Sequence, residues 1–459
     1  MGRFISLIAL LLGCVLALPA VGRARFTTYS EARDLLTPLA EVLPAELKAA
    51  HDASSNTGWS SWITAHDRDI RQRLRRGDDD TIVNWLRLGT SFTDRPRAIA
   101  DDLANPAKLT ELIAARTHDL VTALAAGTTD ERRLFARRSL EAEGYRFDTS
   151  AHRAHVEEHL AAEVVRVARE NQGFARELDA ARRIGDTSED FAARSKLFRD
   201  RGLSLDTSIL PSFALERALQ RMMEQQVLGP TPVRRAAVIG PGLDFADKGS
   251  GYDFYPQQTL QPFALADSLL RLGLTDPATG VQITTFDISP RVNDHLTRVR
   301  ARARNGSPYV VRLPLDARIA WTPGVLEYWK RMGDRIGAEA RDANSGAAGS
   351  GVEVRTLRIR PQMALRVVPE DLNVVTQRFD GQAFDLVVAT NIFVYYDTLD
   401  QSLALANVAA MLRPGGLLLS NNALLELPAS PIRSAGYLTV VYSDRPDDGD
   451  HIVWYRRLP

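Results

Sequence analysis

The feature that most constrains this chain is a short apolar run that ends in two closely spaced glycines. The run Arg235–Ile239 is too short for a helix and suits a strand that is buried on both faces of a sheet. It ends in Gly240-Pro241-Gly242, where glycines let the backbone turn sharply and let a ligand approach closely. In open α/β sheets, ligands bind at the carboxyl ends of the strands. The segment therefore predicts a ligand site at the end of the first strand of such a sheet.

Strand-like runs alternate with helix-like segments from Arg234 to the end of the chain, which predicts a parallel α/β sheet. The second run ends at Asp287, where one carboxylate can accept hydrogen bonds from both hydroxyls of a ribose. The last two runs are joined by an aspartate-rich turn and predict a terminal antiparallel hairpin. The predicted strands are Arg235–Ile239, Gln282–Phe286, Leu365–Val368, Phe384–Ala389, Leu417–Ser420, Tyr437–Ser443 and His451–Tyr455.

The first half of the chain has a different pattern of apolar residues. From about residue 27 to 228, apolar residues recur three and four apart with arginine and acidic residues between them, which predicts helices throughout. Glycines such as Gly77 and Gly173 are expected to end helices, and Gly229-Pro230-Thr231-Pro232 ends the last one. The predicted organisation is a leader at 1–24, an all-helical domain at 25–230, and an α/β domain at 231–459 with an insertion at 302–360.

The N-terminus has the pattern of a secretory signal. An uncharged run from Phe4 to Val21 follows Arg3, and Ala20 and Gly22 have the spacing that signal peptidase prefers. This predicts export to the periplasm or the extracellular space.

Two alternatives remain open for this segment. Leu11-Leu12-Gly13-Cys14 approximates a lipoprotein box, which would make Cys14 a lipidated N-terminus. Residues 4–21 are also long enough to be an uncleaved membrane anchor, with the rest of the protein in the cytoplasm.

Charge and cysteine content exclude several classes of protein. The chain has 57 basic and 57 acidic residues, a balance that argues against nucleic acid as the main partner. Cys14 is the single cysteine, so a chain processed beyond it has neither a disulfide nor a cysteine-ligated metal.

One helical segment resembles a metal motif. His155-Val156-Glu157-Glu158-His159 has the H-x-x-E-H form of the inverted zinc peptidases, in which two histidines four apart share a helix face. A glutamate beside them could act as base for a zinc-bound water. The alternative interpretation is an exposed, charged helix face, and in that case no metal is expected.

The motifs of the second half together resemble the class I S-adenosylmethionine-dependent methyltransferases over about residues 232–459. The resemblance rests on the glycine turn, the acid after the second strand, FDLVVATN from Phe384, LRPGGLLL from Leu412 and the closing hairpin. FDLVVATNIFVYYD followed by MLRPGGLLL is most similar to the chemotaxis receptor methyltransferases, which also place a helical domain first. The implied fold is a Rossmann-like seven-stranded sheet with a terminal antiparallel hairpin.

The resemblance implies S-adenosylmethionine as cofactor and assigns residues to it. Gly240 and Gly242 would frame its methionine end, and Asp287 would hold the ribose hydroxyls. Asp371 and Leu372 would lie against the adenine.

Candidates for the catalytic side follow the fourth strand. By the same resemblance, Asn391 would line the pocket where the methyl group is presented. Tyr395, Tyr396 and Asp397 follow it and are the nearest candidates for shaping the acceptor side. Methyl transfer depends mostly on positioning, with a base required only if the nucleophile carries a proton. The acceptor is expected to be a small molecule or a protein.

The chain also departs from the family pattern. Val238 stands where an acid is usual, and Asp244 replaces the third glycine of the turn. The loop Leu243–Thr259 is unusually long and rich in aromatic residues and aspartates, and we expect Asp244 and Tyr252 to contact cofactor or acceptor. The insertion at 302–360 is expected to be a lid or a docking surface for the helical half.

These observations leave three hypotheses. The first is methyl transfer, although the cofactor is made in the cytoplasm and the N-terminus indicates export. The second is an exported, non-catalytic binding or structural protein on a methyltransferase-like scaffold. The third is a metalloenzyme centred on His155 and His159.

Overall fold

The structure is a computed structural model. It describes residues 22–41, 43–98, 106–184, 203, 207–229, 231–245, 252–340, 351–381, 383–424, 426–428, 430–445 and 448–459. Residues 4–21, with Cys14, therefore lie outside the described residues. Within the described ranges, no helix is both long enough and apolar enough to cross a membrane.

The helices and strands are numbered here in chain order. The strands are β1 (Arg23–Phe26), β2 (Arg235–Ile239), β3 (Gln282–Asp287), β4 (Tyr309–Asp316), β5 (Gly337–Ala340), β6 (Val352–Ile359), β7 (Val367–Asp371), β8 (Gln377–Asp380), β9 (Phe384–Ala389), β10 (Leu412–Ser420), β11 (Ile432–Val441) and β12 (Gly449–Arg457). The helices are α1 (Tyr29–Leu36), α2 (Ala45–Asp52), α3 (Asn56–Leu88), α4 (Pro106–Ala125), α5 (Glu131–Ala142), α6 (Ser150–Ile184), α7 (Leu210–Glu224), α8 (Gln261–Arg271), α9 (Pro290–Arg304), α10 (Pro323–Arg331), α11 (Pro361–Leu365) and α12 (Thr398–Met411).

The central sheet has seven strands in the order β11-β12-β10-β9-β2-β3-β7. The pairs from β10 to β7 are parallel, whereas β12 is antiparallel to both of its neighbours. The predicted α/β class and the closing antiparallel hairpin are therefore confirmed. The chain proceeds from β2 to β3 and β7 on one side and to β9 and β10 on the other, so the strand order reverses between β2 and β9.

Three strands differ most from the sequence prediction. β10 begins at Leu412 rather than Leu417, because the intervening residues stay in the sheet through a register shift. β11 begins at Ile432 and passes Gly436 by a second register shift. β7 is displaced toward Asp371, whose backbone pairs with that of Asp287.

Both faces of the sheet are buried, each by different helices. Successive strand residues face opposite sides. Val238 packs in a core with α7, α8 and α9, whereas the next residue, Ile239, packs in a second core with α1, α3 and α12. The N-terminal helices therefore supply part of the cover of one sheet face.

The first described residues belong to the α/β part of the molecule. β1 pairs antiparallel with β8. Residues 25–230 were expected to be helical throughout, and this strand departs from that expectation at its start. Thr27 Oγ1 donates a 2.7 Å hydrogen bond to Asn407 Oδ1 on α12, and Trp59 Nε1 donates one of 2.7 Å to the Thr27 carbonyl. These bonds fix the start of the chain against the sheet.

The second half of α3 forms a further core with α4, α5 and α6. The connection between β2 and α8 enters this core. Phe245 contacts Trp85 edge to face at 5.5 Å between ring centroids. Asp253 accepts hydrogen bonds from Trp85 Nε1 at 2.7 Å and from the Ser91 amide at 3.0 Å. The described parts of the aromatic loop thus anchor the helical bundle to the sheet.

The insertion forms a small sheet of its own, in the order β4-β6-β5, beside α10. Its first strand runs from Tyr309 to Asp316, and α10 ends at Arg331. The side chains of β4, β6 and α10 pack in the same core as α7 and α8.

Two glycines that were expected to end helices lie inside them. Gly77 is within α3 and Gly173 is within α6. A Cβ on Gly77 would lie 2.1 Å from the carbonyl oxygen of Leu203, whereas a Cβ on Gly173 would meet no atom of the described residues within 4 Å. Gly77 is therefore required for a close approach of two backbones, and not for a helix end.

We predict opposite effects for alanine at these two glycines. Gly173→Ala should stabilise the protein by about 0.5–1 kcal/mol, because alanine is the better helix former. Gly77→Ala should instead destabilise it by about 1–3 kcal/mol, because the new methyl displaces the segment at Leu203. Denaturant unfolding of both variants measures the difference, and an equal gain in both would contradict the close approach.

Candidate functional site

A cavity lies at the carboxyl ends of the central strands. Residues at the ends of β2, β3, β7 and β9 meet there, at the point where the strand order reverses. The wall combines apolar side chains with several polar groups, as small-molecule sites do. Its lining residues are Leu74, Leu203, Thr207, Ile239, Gly240, Gly242, Gln261, Phe286, Asp287, Ile288, Leu372, Val374, Thr390, Asn391, Ile392, Tyr395 and Tyr396.

The turn after β2 requires glycine at this wall. Gly240 has a φ of +61° and Gly242 a φ of +72°, in the left-handed region that other residues rarely adopt. A Cβ on Gly240 would lie 2.0 Å from Ile392 Cδ1. The Gly240 amide also donates a 2.8 Å hydrogen bond to the Phe286 carbonyl, which holds the turn against β3. The backbone can therefore approach a ligand closely at this point.

Asp287 ends β3 and is the carboxylate of the cavity. Its Oδ1 accepts a 2.8 Å hydrogen bond from the Ser289 amide. Burial raises the pKa of Asp287 to about 7, and the nearby charge of Asp371 raises it further, against the lowering effect of the backbone amides of Ser289 and Ile288. The side chain is therefore only partly ionised at neutral pH and would gain from hydrogen-bond donors of a ligand.

The end of β9 is held by amide side chains. Asn391 has a φ of +57°, and its amide donates a 2.7 Å hydrogen bond to Asn421 Oδ1. Asn421 Nδ2 returns a 2.7 Å bond to Asn391 Oδ1, so the two residues form a reciprocal pair. Gln261, at the start of α8, donates a 2.5 Å hydrogen bond to Thr390 Oγ1. These bonds fix the wall beside the glycine turn.

Two tyrosines form the wall beside Asn391. Tyr396 is buried, and burial raises the pKa of its hydroxyl well above the usual range, which keeps the group neutral. The Tyr395 carbonyl accepts a 2.8 Å hydrogen bond from Arg73 on α3. Both tyrosines, which the sequence predicts as candidates for the acceptor side, line the cavity, whereas Asp397 does not.

The helical half closes the cavity, which the sequence alone did not indicate. Leu74 of α3, Leu203 and Thr207 line it from the side opposite the sheet. Next to them, Arg71 forms ion pairs with Asp67 at 2.9 Å and with Asp371 at 2.7 Å. No short motif marks an apolar helix residue such as Leu74, so only the packing of the helix on the strand ends identifies it.

The predicted site residues separate into two groups. Asp371, which was predicted beside the adenine, is 57% exposed and pairs with Arg71 instead of lining the cavity. The residues predicted from the sequence that line the cavity are Gly240, Gly242, Asp287, Leu372, Asn391, Tyr395 and Tyr396.

Asp244 and Tyr252 also lie outside the cavity lining. Asp244 Oδ2 accepts hydrogen bonds from the Tyr255 hydroxyl at 2.8 Å and from Gln258 Nε2 at 3.2 Å. The Tyr252 hydroxyl donates a 3.2 Å bond to Asp316 Oδ2 in the insertion. Both side chains tie the long loop to its surroundings. None of the described residues in 302–360 lines the cavity either, so the described insertion is no lid over it.

The histidine motif is a surface feature of α6. His155 is 70% exposed, and His159 stacks on Tyr145 at 4.4 Å between centroids. His159 also lies 3.9 Å from Glu143. In the part of the chain that the structure describes, no three or more His, Cys, Asp or Glu side chains are grouped to hold a metal ion.

Comparison with solved structures returns methyltransferases. The glycopeptide N-methyltransferase MtfA complexed with S-adenosylmethionine is 14% identical, with a TM-score of 0.22 over 54% of this chain and 67% of that one. NodS from Bradyrhizobium japonicum WM9, complexed with S-adenosylhomocysteine, is 14% identical, with a TM-score of 0.25 over 63% and 98%. Magnesium protoporphyrin IX methyltransferase ChlM from Synechocystis PCC 6803, with bound cofactor, is 10% identical, with a TM-score of 0.25 over 53% and 80%.

No protein-family model and no curated protein sequence matches this chain. At these TM-scores the class I methyltransferase-like fold rests on the chain's own strand order, in which β12 is the reversed strand.

We predict that Asp287→Asn makes the ligand-free protein more stable at alkaline pH. Because the folded-state pKa of about 7 lies above that of the unfolded chain, the folded state binds more protons between about pH 4 and 7. The contribution of Asp287 to the free energy of unfolding therefore falls as the pH rises through that window. The free energy of unfolding of the variant should exceed that of the wild type by about 1–3 kcal/mol at pH 8 and equal it near pH 4.

Denaturant unfolding at the two pH values tests this expectation. Asp276→Asn is the control, because hydrogen bonds from the backbone amides of Ala278 and Thr279 lower the pKa of that exposed carboxyl. Asp276→Asn should give no gain in the free energy of unfolding at pH 8. A similar gain in both variants would show that the effect does not come from burial of Asp287.

Proposed function

We propose that the chain binds S-adenosylmethionine in the cavity at the strand ends and transfers its methyl group to an acceptor, a small molecule or a protein. The observation that carries this proposal is the meeting of Gly240, Asp287, Leu372 and Asn391, from the ends of four neighbouring strands, at the point where the strand order reverses.

The residues of the cavity fit the chemistry of this cofactor. The ribose hydroxyls would donate to Asp287, which is buried and has one oxygen already held by the Ser289 amide. Gly240 leaves room for the methionine end of the cofactor because it has no Cβ. Ile239, Phe286 and Leu372 offer an apolar surface to the adenine.

The chain's part in catalysis is to position the two reactants and to exclude water. When bound, S-adenosylmethionine supplies a methyl group on a sulfonium, which a lone pair of the acceptor displaces in line. Asn391 is held rigidly by Asn421, and Tyr395 and Tyr396 stand beside it as the polar groups that would orient the acceptor. Leu74 and Leu203 exclude water from the helical side.

Two observations favour the second hypothesis, an exported protein that binds without catalysis. Val238, at the usual acid position, is fully buried in the core, and Asp371 is engaged by Arg71. Both departures remove polar contacts that the family resemblance implies for the cofactor. On this alternative, the N-terminal signal directs export, and the protein has no affinity for S-adenosylmethionine.

Calorimetric titration of the full chain with S-adenosylmethionine and S-adenosylhomocysteine separates the two. We expect binding that weakens about tenfold from pH 8 to pH 6, because protonation of Asp287, with its pKa of about 7, competes with the ribose hydroxyls. Asp287→Asn should bind at least about tenfold more weakly at pH 8 and lose the pH dependence.

The control is Asp385→Asn. This carboxylate is held by Arg413 and the Arg235 amide at the opposite end of β9, away from the cavity. Its substitution should leave cofactor affinity unchanged. A folded wild-type protein that binds neither compound would favour the non-catalytic alternative.

A further inference from the structure

A second cavity lies between α5, α9 and β4 and is distinct from the cavity at the strand ends. Its walls are partly polar and carry several cationic side chains. The lining residues that matter here are Arg132, His295, Arg298, Arg302, Tyr309 and Arg312.

Two arginines of α9 line this cavity without an acidic partner. Arg298 and Arg302 are four residues apart and lie on the same helix face, where like charges repel each other. Both are exposed, and neither has an ion pair or hydrogen bond among the described residues. Arg302 is in the last turn, where the helix dipole favours a cation, but Arg298 is a full turn earlier.

Other helix arginines of the chain are paired with acids. On α6, for example, Arg166 is paired with Asp80 at 2.6 Å, with Glu163 at 2.7 Å and with Glu170 at 3.0 Å. Arg166 thus has the acidic partners that Arg298 and Arg302 lack.

A third guanidinium lies in the wall of the same cavity. Arg132 is 3% exposed, and its Nη1 donates a 2.5 Å hydrogen bond to the Tyr255 carbonyl. Its Nε donates to the Phe245 carbonyl, and its Nη2 is buried with no hydrogen-bond partner in the described structure. A guanidinium cannot lose its charge at neutral pH, so Arg132 adds a fixed positive charge to the wall.

The histidine of the cavity responds to these charges. His295 Nε2 is 2.9 Å from the Tyr309 hydroxyl, and burial together with Arg298 and Arg302 lowers the pKa of His295 to about 4. The imidazole is therefore neutral and offers a hydrogen bond rather than a further charge.

The acids of the cavity are mostly engaged elsewhere. Asp253 accepts hydrogen bonds from Trp85 and from Ser91, and Asp130 caps α5 by accepting from the Arg133 amide at 2.9 Å. Glu131 is the remaining acid of the lining. The guanidinium groups consequently outnumber the acids that could neutralise them.

The two cavities are linked by shared walls. Thr207 lines both the cavity at the strand ends and a small cavity beside it, and Tyr255 and Arg312 line both that small cavity and the second one. The small cavity is thus adjacent to both of the others, and a small molecule held in the second cavity would be anchored near the proposed methyl donor.

We propose that the second cavity binds an anionic group, phosphate or carboxylate, of the small-molecule acceptor through Arg298, Arg302 and Arg132. The identification of the ligand as the methyl acceptor rests on the proposed function, but the anion site itself does not. Guanidinium groups bind both kinds of anion through charge-assisted, bidentate hydrogen bonds.

The anion site is tested by calorimetric titration of the full chain with inorganic pyrophosphate and, separately, with citrate. The double variant Arg298→Gln/Arg302→Gln should lower the affinity for the tighter-binding anion by about tenfold or more. Which of the two binds more tightly distinguishes phosphate from carboxylate as the natural group. Glu131→Gln should strengthen binding, because it removes the acid that opposes the ligand.

The matched control is Arg217→Gln/Arg304→Gln, which removes the same net charge from exposed helix positions outside the cavity lining. Its affinity for the anion should equal that of the wild type. An equal loss in both double variants would show attraction by net charge alone and would overturn the site, as would the absence of binding to the wild type.

The acceptor assignment is tested with methyl-labelled S-adenosylmethionine. A small-molecule cell extract is divided on an anion-exchange resin before the reaction, and the retained fraction should contain the compound that becomes labelled. The arginine double variant should raise KM for that compound and leave kcat and cofactor affinity unchanged. Labelling only in the unretained fraction, or only of protein, would overturn the assignment.

The two proposals fail differently. If the wild type neither binds the cofactor nor transfers label, the proposed function fails and the acceptor assignment fails with it. The pyrophosphate and citrate titrations would still decide whether the arginine cavity is an anion site.

Discussion

The structure depends on the need to cover both faces of a sheet whose strands are apolar on both sides. Val238 and Ile239 are both buried, on opposite faces. One face is covered by helices from the second half of the chain. The other is covered only in part by α12, and α1 and α3 from the N-terminal half complete it. The requirement to bury this face therefore brings the helical half onto the sheet.

That packing also creates the candidate site. α3 crosses the carboxyl ends of the strands, where Asp67 Oδ1 accepts hydrogen bonds from Asn373 at 2.9 Å and from Thr376 at 2.7 Å. Arg71, one helical turn later, binds Asp371. These polar contacts hold Leu74 over the cavity at the strand ends. A single arrangement thus stabilises the sheet and closes the pocket beside it.

Sequence patterns were most informative where one residue type has one structural use. The glycines at 240 and 242 and the acid at 287 mark strand ends. Few other residue types adopt a positive φ angle, and a carboxylate at a strand tip has few uses other than ligand binding. Patterns were misleading where local and tertiary demands differ. Gly77 reads as a helix end but lies within α3, since the backbone at Leu203 approaches too closely for a side chain. Asp371 was predicted to contact the ligand but forms an ion pair with Arg71.

The sequence by itself determined the α/β class, the order of the strands along the chain and most of the polar residues around the first cavity. These follow from short-range patterns: apolar runs, turns and the residues that end strands. Only the tertiary structure decided that the N-terminal helices close the cavity, that the aromatic loop anchors the helical bundle through Phe245 and Asp253, and that Arg132 joins Arg298 and Arg302 at a second cavity. Those contacts join residues that are far apart in the chain, and no local pattern encodes which partner a helix face or an arginine will find.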